Sequence, residues 1–288
     1  MKKILFVMLC ALALAFKADK PAYMLFEKDG SKAQYADLLK AATKADVVLF
    51  GELHNNPICH WLQYELTKDL FDKKGHDLVL GAEMFESDNQ LVMNEYINGA
   101  IKEKNFEADA RLWSNYKTDY KPLVTLAAKN KLNFVATNIP RRYAALVNAK
   151  GFEGLDSLSD AAKSFFMPLP VPYDPELPGY KGMIEMMGGP GGHVTENLPK
   201  AQAVKDATMA HFIVQNLSKD KTLVHFNGTF HSDNFEGIVW YLNKYKPGLR
   251  IVTISSVEQD TITDVSAENK EKADFILVLP TSMTKTQP

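Results

Sequence analysis

The chain has 288 residues, 46% of them hydrophobic and 24% charged, with a formal net charge of −2. That apolar content excludes a disordered chain, and the near-balanced charge excludes a broadly basic surface for nucleic acid. The length supports one large domain or two smaller ones, with a core that needs no disulfide staples.

Residues 1–18 read as an export signal. Lys2 and Lys3 give the positive start, residues 4–15 an apolar stretch too short to span a bilayer, and Ala13-Leu14-Ala15 a small-x-small cleavage site. The protein is therefore expected to be exported, periplasmic or associated with the outer membrane. Cys10 leaves a lipid anchor open, although Leu9 stands where a lipoprotein signal carries a small residue. Cys59 is the other cysteine, so no internal disulfide is expected in the processed chain.

Six short apolar runs follow. They are Val47-Val48-Leu49-Phe50, Leu78-Val79-Leu80, Phe134-Val135-Ala136, Leu223-Val224-His225-Phe226, Ile251-Val252-Thr253-Ile254 and Phe275-Ile276-Leu277-Val278-Leu279. Unalternated runs of this kind predict strands buried on both faces, as in parallel sheets. Helices separate them. Asn56-Pro57 predicts a capped helix start, Gly75 its end, and Trp61, Leu62, Leu66 and Leu70 keep helical spacing between. Residues 88–101 and 120–129 are further helical candidates, and Asp233 or Asn234 is expected to cap a helix carrying Phe235, Ile238, Val239, Leu242 and Tyr245.

The predicted fold class is α/β, a large parallel, doubly wound sheet flanked by helices, built from residues 19–140 and 218–288. Residues 141–217 show helical segments and no convincing strand, and predict a smaller all-helical insertion domain. Its centre is rich in proline and glycine: seven of the 14 prolines fall between Pro168 and Pro199, and six of the 16 glycines between Gly179 and Gly192. A loop of that composition and size inside a compact chain is usually functional or disordered.

Polar residues gather where the strands end. Gly51-Glu52-Leu53-His54 follows the first run, Glu83 and Glu86 the second, Asn138 the third, and Gly228-Thr229-Phe230-His231 the fourth. In a parallel sheet these ends share one edge, outside which ligands bind. Glu52, His54, Glu83 and His231 are thus expected to converge. They have the chemistry to hold a divalent metal such as zinc and activate water, to act as general acid and base, or to form a structural polar network; all three readings stay open. His60 and His225 read as satisfied imidazoles, the latter in the core.

A second constellation is Pro178-Gly179-Tyr180-Lys181-Gly182-Met183-Ile184-Glu185-Met186-Met187, followed by His193. As a helix it aligns Tyr180, Met183, Ile184 and Met187. Such a stripe usually packs on its own domain. A tyrosine can also ligate haem iron, and lysine and histidine can meet propionates.

Gly51-Glu52-Leu53-His54-Asn55-Asn56 with His60 and Gln63, Glu83-Met84-Phe85, Ala201-Gln202 with Asp206 and Met209-Ala210, and Asn227-Gly228-Thr229-Phe230-His231 together resemble the ChaN family of bacterial, iron-regulated haem-binding lipoproteins. The resemblance runs over residues 47–241. It implies a parallel sheet with a smaller helical domain, and haem transport for iron acquisition beside an outer-membrane receptor. It also implies a homodimer formed on haem binding, with a tyrosine on the iron and a histidine and lysine on the propionates. Carried onto this chain, Tyr180 is the expected iron ligand with Tyr173 in reserve. His193 is the expected propionate histidine, Lys181 the lysine with Lys200 second, and Met183 and Met187 line the macrocycle. Obligatory catalysis is not implied. The Gly-x-x-His arrangement is also similar to that of erythromycin esterases and Tiki-type metal-dependent proteases. That keeps open an alternative, a metal-dependent hydrolase using Glu52, His54, Glu83 and His231.

Overall fold

The computed structural model describes residues 20–187 and 196–286. The export signal, Cys10 and His193 lie outside the described residues. One eight-stranded sheet organises the molecule. Its strands are β1 (Met24–Glu27), β2 (Lys32–Ala33), β3 (Val47–Glu52), β4 (Leu78–Glu86), β5 (Phe134–Asn138), β6 (Thr222–Gly228), β7 (Ile251–Gln259) and β8 (Phe275–Pro280), in the order β2-β1-β8-β7-β3-β6-β4-β5. Strands β3 to β8 pair in parallel, and the β1–β2 hairpin adds antiparallel to β8. All six predicted runs are the parallel strands, and the hairpin is an addition. Every residue of β3 and of β6 is buried, which is why neither alternates in polarity.

Helices cover both faces. On one lie α1 (Tyr35–Lys44), α2 (Pro57–Lys74), α3 (Gln90–Ile97), α4 (Glu103–Asp109) and α5 (Lys121–Asn130), packed on Val48, Phe50, Leu80 and Phe226. On the other lie α6 (Arg141–Lys150), the short α7 (Asp160–Lys163), α8 (Pro178–Met187), α9 (Leu198–Asn216) and α10 (Ile238–Tyr245). Residues from α6, α9 and α10 share one core there with Val47, Leu49, Val79 and Val135 of the sheet. Residues 141–217 thus carry helices and no strand among the described residues. No described helix is long and apolar enough to cross a membrane.

Local chemistry explains the element ends. Asn56 accepts the Ile58 N–H at 3.0 Å, Pro57 opens α2, and Gly75 closes it at φ 55°. Helix α10 starts differently from expectation. Asp233, Asn234 and Phe235 sit in a separate turn with Asn234 at φ 58°, so Phe235 is not on the helix, and Gly237 at φ 52° is the residue before it. A side chain at Gly237 would drive its Cβ into the His231 carbonyl oxygen, so the chain reverses on glycine before it coils. Strand β4 runs past Gly81 to Glu86, which places Glu83 inside the strand, within the Ala82–Glu86 stretch where its pairing with β5 shifts register. At the far edge, the Gln90 side chain accepts from Ala136 N–H at 2.7 Å and donates to the Phe134 carbonyl at 3.0 Å. One amide stands there where a further strand would pair.

Candidate functional site

The carboxyl ends of β3, β4 and β6 meet as topology requires, and Glu52, His54, Glu83 and His231 all line one cavity of about 950 Å³. Two hydrogen-bonded groups flank it. In the first, the buried Glu52 carboxylate accepts His54 Nδ1–H at 2.9 Å and the Tyr120 hydroxyl at 2.7 Å on Oε1, and Gln63 Nε2 at 2.5 Å on Oε2. His60 is buried, bonded to Gln63 Oε1 and to the His54 carbonyl, each at 3.1 Å, so it is a satisfied imidazole. Burial works to raise the Glu52 pKa, but the His54 hydrogen bond and the neighbouring imidazoles outweigh it and hold it low. Burial likewise works against charge on His54, yet Glu52 and Glu83 raise its pKa.

In the second group, His231 is held at both ring nitrogens. Nδ1 lies 2.5 Å from Asp206 Oδ1, and Nε2 lies 3.1 Å from Glu83 Oε1. Glu83 Oε2 also accepts the Gly228 N–H at 2.7 Å. A ring that donates at both nitrogens is an imidazolium. Burial would neutralise it, but the two carboxylates outweigh burial and push its pKa up to about 10. The His231 charge in turn overcomes burial at Glu83 and holds that carboxyl below the usual range. Asp206, wholly buried, is raised by burial against the pull of His231. An imidazolium so clamped has no lone pair for a metal or for a proton.

His54 is different. Its side chain is 41% exposed, Nδ1 is committed to Glu52, and Nε2 lies beside Gly228. A Cβ at Gly228 would fall 2.7 Å from Nε2, so glycine there keeps the space open. The half-exposed ring of Trp113 stands edge-on to His54 at 5.0 Å. Phe230, 39% exposed, contributes a second aromatic wall. Arg141 at the start of α6 and Lys205 on α9 face the same cavity, and neither has a carboxylate partner among the described residues. The sequence reading missed Tyr120, Arg141, Lys205 and Trp113.

The tyrosine constellation folds as a helix, but its residues do not line the cavity. Tyr180 is 3% exposed and its hydroxyl donates to Asp206 Oδ2 at 2.7 Å. Burial, then the Asp206 charge, push that phenol far above its ordinary pKa. Tyr173 is half-buried, tilted against Tyr180 at 5.8 Å and edge-on to Phe152 at 5.5 Å. Burial raises its pKa, and no hydrogen bond of its hydroxyl is seen among the described residues. Met183 is half-buried, while Ile184 is 46% exposed, so the stripe is not uniformly core. The Met187 side chain lies outside the described residues. Lys181 pairs with Glu176 at 2.9 Å, and Lys200 donates to Asn197 at 3.0 Å. His225, buried in β6, bonds Thr137 and Asn227, and burial lowers its pKa to about 4, as expected of a core imidazole.

Among the described residues, no group of three or more histidine, cysteine, aspartate or glutamate side chains is arranged to hold a metal ion.

Residues 38–242 match the family described as haem-binding uptake, Tiki superfamily, ChaN. Among solved structures, one describing cofacial haem binding to ChaN of Campylobacter jejuni superposes with a TM-score of 0.67 at 17% identity, over 89% of this chain and 96% of that one. A mutant of the erythromycin esterase EreC in its open conformation is similar with a TM-score of 0.50 at 10% identity, over 91% and 98%. A succinoglycan biosynthesis protein gives 0.50 at 11%, over 87% and 92%. At these identities the likenesses establish the α/β fold. No curated protein matches the sequence.

Proposed function

We propose, from the premise that the chain belongs to the haem-binding uptake family of the Tiki superfamily, ChaN, that this protein binds ferric haem for iron acquisition in the cell envelope. The family match across residues 38–242 carries that reading. An exported chain fits it, with a lipid anchor at Cys10 and an outer-membrane receptor as the source of haem. A tyrosine of residues 172–187 is the proposed iron ligand, shared between two copies, so that haem drives dimerisation by mass action. The two candidates differ in readiness. Tyr180 reaches iron only after its bond to the buried Asp206 opens, whereas the Tyr173 hydroxyl has no such bond among the described residues. Tyr173 is therefore the better-placed ligand in the arrangement seen, with Tyr180 available once α8 releases it. Lys181, Lys200 and His193 remain the proposed propionate contacts, and Met183 and Met187 the proposed macrocycle lining.

The test is haemin titration of the chain lacking residues 1–18, followed by absorbance and sedimentation together. Saturable binding with a ferric tyrosinate spectrum and a shift from monomer to dimer is expected. No saturable binding by the folded protein overturns the reading. Loss of the spectrum in Tyr173→Phe but not in Tyr180→Phe, or the reverse, assigns the ligand.

A second reading, hydrolysis, is favoured by one observation: Glu52 orients His54 so that Nε2 borders the cavity. Without a three-residue metal group among the described residues, such chemistry would use His54 as general base on water. Turnover of esters or amides that His54→Ala abolishes would establish it.

A further inference from the structure

Thr286 lines the strand-end cavity and also a second cavity of about 380 Å³, walled by Pro57, Trp61, Tyr64 and Pro122. We propose that residues 281–286 are a releasable strap. Seated, they divide the two cavities and hold the His54 loop in place; released, they join the cavities and free that loop. This goes beyond the haem and hydrolysis readings and depends on neither.

The route of the segment sets this up. Strand β8 runs parallel to β7 and so ends at the carboxyl edge of the sheet. The chain then crosses that edge to the loop after β3. Thr281 N–H donates to the Gln259 carbonyl at 3.1 Å. Lys285 pairs with Glu258 at the end of β7. Thr286 N–H donates to the Asn55 carbonyl at 2.9 Å, and its hydroxyl to Asp119 Oδ1 at 3.1 Å.

Three consecutive loop residues depend on these contacts. Asn55 is held directly. Asn56 Nδ2 donates at 2.9 Å to Glu258 Oε1, the oxygen that Lys285 pairs with. The His54 carbonyl accepts from Asn115 Nδ2 at 2.8 Å, and that amide also donates to Asp119 Oδ2 at 2.7 Å. Thr286 bonds the other oxygen of the same carboxylate. The strap thus reaches residues 54, 55 and 56, and with them the ring that faces the cavity.

Its attachments are separate polar bonds rather than a strand ladder. Met283 packs on the main core, but only partly buried. The Lys285 and Glu258 side chains are 28% and 26% exposed, so solvent weakens their pairing. A segment with few apolar contacts and solvent-reached bonds opens locally at a free energy well below that of global unfolding. Cys59 reports such opening. It is fully buried on α2, burial pushes its thiol up to about 12, and the charge of Lys285 acts on it from the strap.

The test uses the full chain carrying Cys10→Ser, which leaves Cys59 as the one thiol. Its reaction with dithionitrobenzoate in native buffer and in low urea is compared with that of a chain ending at Pro280. Lys285→Ala combined with Thr286→Gly keeps the full length and decides the matter if the shorter chain does not fold. Release should speed the reaction by about tenfold or more, with a fall in the urea midpoint too small to account for it. NMR of the 15N-histidine proteins should show the His54 ring resonances moved and those of His225, buried in β6, unmoved. An unchanged rate, or a rise no larger than the loss of global stability predicts, overturns the proposal. A faster thiol with unmoved His54 resonances also overturns it, because the strap would then cover Cys59 without holding the loop.

Discussion

Replacing His231 with Gln removes one positive charge from between two buried carboxylates. In the wild type the imidazolium lies 2.5 Å from Asp206 and 3.1 Å from Glu83, and all three side chains are buried. Breaking a buried ionic group by removing one partner costs about 3–5 kcal/mol, because the remaining charges are left unpaired. That is a large part of the stability of an ordinary domain. The cost should depend on pH in a defined direction. His231 has a folded pKa raised to about 10. Its contribution is therefore complete below the unfolded value near 6.5, declines above it, and is lost as pH rises through about 10. The variant lacks that decline, so the gap between the two proteins should narrow toward alkaline pH. Equilibrium urea unfolding, followed by tryptophan fluorescence between about pH 6 and pH 10, reads this directly. Adding Glu83→Gln to the variant should recover part of the loss, since one of the stranded charges goes with it. A gap below about 1 kcal/mol at neutral pH, or one that stays constant across the range, would refute the imidazolium assignment.

Other outcomes follow from the same geometry. Gly51→Ala would place a Cβ 2.7 Å from the Ile254 carbonyl oxygen in the neighbouring strand, and should cost about 1–3 kcal/mol in urea unfolding. Tyr180→Phe removes a hydrogen bond to a buried carboxylate, and should lower stability by about 1–3 kcal/mol in the haem-free protein. Asn56→Ala deletes the α2 cap and the bond from Asn56 Nδ2 to Glu258, and should lower the unfolding free energy by about 1 kcal/mol. Elemental analysis of protein purified without chelator should find zinc well below one equivalent; a stoichiometric ion removed by His54→Ala would revive the metal-dependent hydrolase.

Some of this was legible from residues alone. The six apolar runs had to be parallel strands, because no face of them was polar, and a parallel sheet brings their ends to one edge whatever the sequence separation. That logic alone places Glu52, His54, Glu83 and His231 in one cavity. Asp206 and Tyr120 escape it. Both stand at helical positions, and nothing along the chain says which carboxylate or ring a helix will bring to a distant strand end. Asp206 was marked only by the family resemblance and as the one acid on a helix whose Ala203, Val204, Ala207, Met209 and Ala210 are buried. Spacing marked Tyr180 as part of an apolar stripe but could not show its hydroxyl turned inward onto Asp206. The β1–β2 hairpin was invisible for another reason: strands of four and two residues are too short to display a period.

That hairpin and the Gln90 amide bear on how the protein avoids self-association. Strand β8 carries five consecutive apolar residues, and uncovered it would offer a bare backbone ladder to any other chain. Pairing with β1 occupies that ladder, and the sheet then ends on a two-residue strand carrying the exposed Lys32, a poor template for extension. At the opposite margin the backbone of β5 is engaged at Ala136 and Phe134 by one glutamine side chain. Each margin is thus closed by a small device near one end of the sheet order. Loss of the hairpin, or of Gln90, would be felt first as aggregation during refolding at high concentration, before any change in the cleft.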